Sequence, residues 1–254
     1  RLPILGNLSN SWCKALLSKN RSPYVLDDGT ASIHILNKRK INDYSLEYSK
    51  SKPKNKLSFL IEYFLHPKQR FPFPVSFFTV YDRIPPSRID QIIKNNFNFI
   101  KNIHTDNNYE IVDECWFIGA PLVKLELMEL KDFVFQLESI TNHFKKQGLK
   151  LRYFGHRTEG FLKIENIVFE KNELPFEIFY LMSSTRPKVI ASFFSSCLKN
   201  IEILDSKVDL VSFYIPEKIH TEKLKLNWNR IEMVYDYFKK DTRIELINNY
   251  RASN

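Results

Sequence analysis

The sequence predicts an α/β protein built on mostly parallel, doubly wound sheets, and three observations carry that reading. Short apolar runs rich in β-branched and aromatic residues alternate with amphipathic stretches of helical period through the second half of the chain. Polar clusters with chemical character sit just after those apolar runs, where loops leaving the carboxyl ends of parallel strands line a ligand crevice. The chain holds only 6 glycines against 21 Phe and 12 Tyr, which argues against a loop-built or disulfide-framed protein.

In the first half, Trp12, Ala15 and Leu16 give residues 11–20 a helical face that Ser22-Pro23 breaks. Tyr24-Val25-Leu26 follows as a short buried strand that runs directly into Asp27-Asp28-Gly29-Thr30. Two readings stand for this loop. Gly29 allows a tight turn that leaves a carboxylate projecting from the strand end. Alternatively the loop is an Asp-Gly turn between two strands, because residues 31–36 alternate like a second strand. Residues 38–56, rich in Lys and Ser, read as an exposed loop or polar helix. Residues 57–65 are apolar enough for a buried helix or strand, and His66-Pro67 then leads into the proline-rich passage Phe71-Pro72-Phe73-Pro74, which blocks regular structure. Residues 75–80 read as a strand, and a helix is expected around 89–96 after Pro85-Pro86. The polar stretch 101–110 is the expected domain connection.

The second half opens with a strand at 114–118 and a glycine turn, Gly119-Ala120-Pro121. Phe133, Val134, Leu137, Ile140 and Phe144 recur at helical spacing over 131–146, with Gly148 as the stop. Strands are expected at 150–154, near 167–169, at 188–192 and at 201–204, with helices after Pro175 and after Ser195. Trp228, Ile231, Val234, Tyr235 and Phe238 mark a final amphipathic helix. The expected organisation is a Rossmann-like domain over 1–110, a second, nucleotide-binding one over 111–212, and a helical segment over 213–254 packing back across both.

Composition bounds the function. The chain of 254 residues is 43% hydrophobic and 26% charged, ordinary for a globular protein. A formal charge of +9 favours anionic partners such as a nucleotide, a nucleic acid or an acidic membrane surface. The basic residues are spread along the chain without a recognition-helix pattern, so nucleic acid is not the expected partner. Cys13, Cys115 and Cys197 are odd in number and widely spaced, which fits a reducing, cytoplasmic setting and no zinc site. No apolar run approaches the roughly 18–20 residues that span a bilayer, which leaves peripheral contact with an anionic inner membrane as the compatible mode. The histidines lack short ligand spacings, and the phosphate-loop and dinucleotide glycine patterns are absent, so neither a metal nor a nucleotide cofactor is expected.

Taken in order, Tyr24-Val25-Leu26-Asp27-Asp28-Gly29-Thr30, Phe117-Ile118-Gly119-Ala120-Pro121-Leu122, Tyr153-Phe154-Gly155-His156-Arg157, Leu174-Pro175-Phe176-Glu177 and Ser195-Ser196 resemble the motifs of the bacterial sialyltransferases and polysialyltransferases of glycosyltransferase families 52 and 38. The resemblance spans residues 1–205. Two departures stand out. The histidine motif, usually His-Pro, is His156-Arg157 here; a true His66-Pro67 lies in the first half, out of the family's order. Some 26 residues precede the acidic motif, so the first domain is expected to lack its opening strands.

The resemblance implies a GT-B architecture, two Rossmann-like domains facing a cleft, with CMP-sialic acid as co-substrate and a glycan as acceptor. It implies inverting, metal-independent displacement in surface glycan synthesis, capsule or lipooligosaccharide. Asp27 is the implied general base and His156 the partner of the leaving phosphate. Asp28, Gly29 and Arg157 support them, and Gly119, Glu177, Ser195 and Ser196 hold the donor. Beside these roles, Glu177 reads equally as an acid at a helix start and Gly119 as a tight turn. The His-Arg pair keeps a different nucleotide-sugar donor open, and the charge keeps open a non-enzymatic module binding nucleic acid or anionic lipid.

Overall fold

The computed structural model describes residues 3–6, 22–41, 74–103, 109–156, 159, 164, 167–170 and 173–248. The expected helix at 11–20, residues 57–65, His66-Pro67 and Arg157 lie outside them. The chain divides into two compact units, Arg1–Asn95 and Asn96–Asn254, with the division falling ahead of the polar stretch 101–110.

In the first unit, β1 (Ile4–Leu5), β2 (Tyr24–Leu26), β3 (Ser76–Thr79) and β4 (Gln91–Lys94) form a parallel sheet in that order. Between β2 and β3 comes α1 (Ala31–Lys40). This settles the two readings of the acidic loop. Residues 31–36 begin a helix, not a second strand, because Ile33 and Leu36 are buried at helical spacing along with Ser32. The loop is therefore a strand-to-helix turn, with Gly29 at φ 57°. The helix expected around 89–96 is likewise corrected: residues 91–94 form β4, paired residue by residue with β3.

Arg39, in the last turn of α1, returns to the amino ends of the strands. There its guanidinium meets the Asp90 carboxylate through two hydrogen bonds of 2.7 and 2.5 Å. Asp90 also accepts from the Val75 backbone N–H and the Ser87 hydroxyl. The two side chains are 7% and 1% exposed, so the ion pair is a buried clasp between the helix end and the starts of β3 and β4.

The second unit begins with α2 (Asn98–Ile103) and contains β5 (Glu110–Ile118), α3 (Leu130–Lys146), β6 (Lys150–Phe154), β7 (Val168–Glu170), α4 (Phe176–Met182), β8 (Thr185–Ser192), α5 (Ser196–Leu204), β9 (Asp209–Phe213), a 3-10 turn (Glu217–Ile219), α6 (Glu222–Asp241) and β10 (Glu245–Ile247). All strand pairs of its sheet are parallel, in the order β7-β6-β5-β8-β9-β10. Numbered from β5, that order is 3-2-1-4-5-6, the doubly wound arrangement of nucleotide-binding sheets. One expected element moves: residues 201–204 end α5, and the strand that follows is β9 at Asp209–Phe213. Ile201 is buried on the helix, whereas the true strand carries a continuous buried run, Leu210 to Phe213.

Alternation along β5 explains why both faces are covered. Phe117 points into a core with Tyr153, Phe193 and Phe213, joined by Phe133, Leu137, Ile140 and Phe144 of α3. Trp116 points the other way, against Phe154 and against Phe176, Phe179 and Tyr180 of α4. Leu224, Ile231 and Tyr235 of α6 belong to the Phe117 core, and β10 completes the sheet edge. On the Trp116 side, Arg152 links Glu114 and Glu170, a charge ladder across β5, β6 and β7 that fixes their register.

Candidate functional site

The acidic motif lies at the carboxyl ends of β2 and β3. Asp27, half-buried, accepts the Val80 backbone N–H at 2.7 Å and has Thr79 and Ser32 as further hydrogen-bond partners. Burial pushes the Asp27 carboxyl above the ordinary carboxylate range, and the three hydrogen bonds only partly offset it. Asp28 is exposed; its N–H donates to the Ser32 hydroxyl at 3.0 Å and its carbonyl accepts from Ala31, bracing the turn into α1. The carboxyl group suited to proton chemistry is therefore Asp27, while Asp28 shapes the loop through its backbone.

In the second unit the strand order reverses between β5 and β8, and crevices form at such a switch point outside the strand carboxyl ends. Gly119 follows β5, His156 follows β6, and Ser195 follows β8 as the N-cap of α5. The buried Ser192 hydroxyl donates to the Ile118 carbonyl at 2.8 Å and ties β8 to β5 beside the reversal. Ser195 accepts from the Cys197 backbone N–H at 3.2 Å, and Ser196 is the first helical residue. The Leu198 N–H is likewise taken, by the Ser195 carbonyl at 3.2 Å, so the first turn of α5 is closed on Ser195.

A Cβ on Gly119 would overlap the Tyr153 hydroxyl and the Glu159 carboxylate, so glycine is required there by close approach of two side chains. Glu159 accepts the Tyr153 O–H at 2.9 and 3.0 Å and the His156 backbone N–H at 2.6 Å. Its own N–H donates to the His156 carbonyl at 2.7 Å. Burial raises the Glu159 carboxyl above its ordinary range, against the lowering effect of these bonds. The Tyr153 hydroxyl is likewise pushed up, by burial first and then by the adjacent carboxylate.

Glu177 stands in the first turn of α4, where Asn200 of α5 donates to it at 2.6 Å. The same carboxylate adds to burial in pushing the Cys197 thiol up. Glu177 thus joins α4 to α5. Gly119, His156, Glu177 and Ser195 share the carboxyl edge of the second sheet; Asp27 lies at the corresponding edge of the first. Sequence reading passed over Glu159, Tyr153 and Ser192. A signal for Glu159 was present, an acid three residues beyond the motif histidine, whereas Tyr153 and Ser192 read only as strand residues.

Among the described residues no group of three or more His, Cys, Asp or Glu side chains is placed to hold a metal ion. No helix among them is long and apolar enough to cross a membrane. No family model matches the chain. Comparison with curated protein sequences finds no match. Among solved structures, the chain is similar to an alpha/beta-galactoside alpha-2,3-sialyltransferase from the luminous marine bacterium Photobacterium phosphoreum. The identity is 17% and the TM-score 0.47, over 92% of this chain and 73% of that one.

Proposed function

We propose that this protein is a glycosyltransferase that moves sialic acid from CMP-sialic acid to a hydroxyl of a surface glycan by inverting, metal-independent displacement. The observation that carries the reading is positional. The acid, histidine, glycine and serine motifs each fall immediately past the carboxyl end of a parallel strand, and the second sheet has the nucleotide-binding strand order.

In this reading Asp27 takes the proton of the acceptor hydroxyl as its oxygen bonds to the anomeric carbon. The bond from that carbon to the CMP phosphate oxygen breaks on the opposite face, which inverts the centre. A carboxyl raised by burial is a stronger base once ionised, and its titration lies closer to neutrality. His156 and Arg157 meet the charge that develops on the leaving phosphate, with a proton available from the imidazolium. Ser195, Ser196 and the start of α5 hold the same phosphate, and the Glu177 carboxylate accepts from the ribose hydroxyls. The net charge of +9 draws in the anionic donor and suits an anionic inner membrane surface.

The test is calorimetric titration of CMP, with UDP as control, into the wild type and His156→Ala. Selective CMP binding that the substitution weakens supports the reading. Binding of UDP as tight as CMP sinks the sialic acid donor.

A further inference from the structure

We propose that Glu159 is a positioning residue that sets the orientation of His156 for the leaving phosphate; the phosphate part of this rests on the donor-site reading above. The geometry has three parts. First, the carboxylate and backbone of Glu159 grip both polar groups of the His156 main chain: Oε2 takes the N–H at 2.6 Å, and the Glu159 N–H goes to the carbonyl at 2.7 Å. A histidine whose N–H and C=O are both held by one residue has its backbone fixed at the point where its side chain leaves the strand end.

Second, the gripping carboxylate is itself held. Tyr153 donates to it at 2.9 and 3.0 Å from a ring that is 1% exposed. That ring stacks on Phe117 with centroids 5.8 Å apart and packs edge-on against Phe133. The hydroxyl position is therefore dictated by the core of the sheet. Third, the space for this arrangement exists only because residue 119 is glycine. Gly119 sits where β5 ends, beside the switch point, so the chain links the sheet core to His156 through Tyr153 and Glu159.

A buried carboxylate is costly to desolvate and its hydrogen bonds offset that cost; a glutamine of equal size loses the charge that strengthens them and one of the two accepting oxygens. The experiment records the histidine ring resonances by NMR in the full chain, with His156 assigned as the signal missing from His156→Ala. In Glu159→Gln the His156 signal shifts while those of His34, His143 and His220 hold. CMP affinity in the same variant falls about tenfold, the change expected for loss of one hydrogen bond to a charged group. Tyr153→Phe, which keeps the carboxylate and removes its anchor, shifts the same signal and serves if Glu159→Gln does not fold.

A His156 signal unmoved in both variants overturns the proposal. So does wild-type CMP affinity in Glu159→Gln when His156→Ala has lost it. Failure of the wild type to bind CMP sinks the donor reading instead, and the His156 resonance then decides the role of Glu159 alone.

Discussion

The side-chain hydroxyl of Ser192 donates to the backbone carbonyl of Ile118 at 2.8 Å, joining residues 74 apart in sequence. Ser192 ends β8 and Ile118 ends β5, so one bond spans the two parallel strands between which the strand order reverses. Ser192 is fully buried, and water cannot replace what the hydroxyl supplies. Ser192→Ala is expected to destabilise the protein by about 1–3 kcal/mol, the cost of a buried acceptor left without its donor. Urea unfolding monitored by tryptophan fluorescence measures this.

Gly119→Ala forces a methyl group into the space of the Tyr153 hydroxyl and the Glu159 carboxylate. The expected loss is about 1–3 kcal/mol, typical of overpacking. Removing the tyrosine oxygen gives back part of that space. The double variant with Tyr153→Phe should therefore lose less than the sum of the two single losses, and a double-mutant cycle reads the difference. Strict additivity would mean that the two groups do not share the site.

Asp27→Asn separates catalysis from stability. Burial holds the folded Asp27 carboxyl above its unfolded value, so the native state binds the proton more tightly. That contribution is fully present below the unfolded pKa and is lost as pH rises through the folded one. An amide does not titrate and still accepts from Val80. Asp27→Asn is therefore expected to gain melting temperature relative to wild type as pH rises from the acid range to neutrality. If Asp27 is the general base proposed above, transfer should fall at least about a hundredfold. Melting curves across pH and a transfer assay check the two arms.

Asp90→Ala leaves the Arg39 guanidinium buried without its two short hydrogen bonds and frees the Val75 N–H and the Ser87 hydroxyl. Breaking one side of a buried pair costs about 3–5 kcal/mol. Limited proteolysis should show the first unit becoming susceptible before the second.

Ser195→Ala removes the N-cap of α5 and should cost about 1 kcal/mol, whereas Ser195→Gly costs only a few tenths. Both lose the hydroxyl that the proposed function gives to the phosphate. Equal weakening of CMP binding in the two variants, measured by calorimetry, assigns the effect to the hydroxyl; weakening in Ser195→Ala alone assigns it to the helix start.

Much of the second sheet was legible because its signals are local. Residues 150–154 were read as a strand and are β6, and the period of Phe133, Leu137, Ile140 and Phe144 gave α3 almost to its ends. The misreadings came from short apolar runs, where alternation and helical spacing coincide over six residues. Ile33, Ile35 and Leu36 fit either pattern, and packing on the first sheet chose the helix. Ile201 to Leu204 looked like a strand until Asp209–Phe213 took that place. Strand-end placement of Asp27 in the first unit, and of Gly119, His156 and Ser195 in the second, could be foreseen from polar residues following apolar runs. Glu159 left only the weak signal of an acid three residues beyond the histidine, and its partnership with Tyr153 left none, because it depends on two chain segments meeting over a missing side chain.

The strand order also sets a timetable for synthesis. β5, at the centre of the second sheet, leaves the ribosome before any other strand of that sheet, yet one of its two neighbours is β8. With Ser192 74 positions after Ile118 and elongation at about 5–20 residues per second, β5 waits roughly 4 to 15 seconds for that partner. During that interval one edge of β5, with Cys115, Trp116 and Phe117, stands open. A nascent chain of this design is most exposed to misassociation before β8 emerges, and chaperone dependence should concentrate in that window.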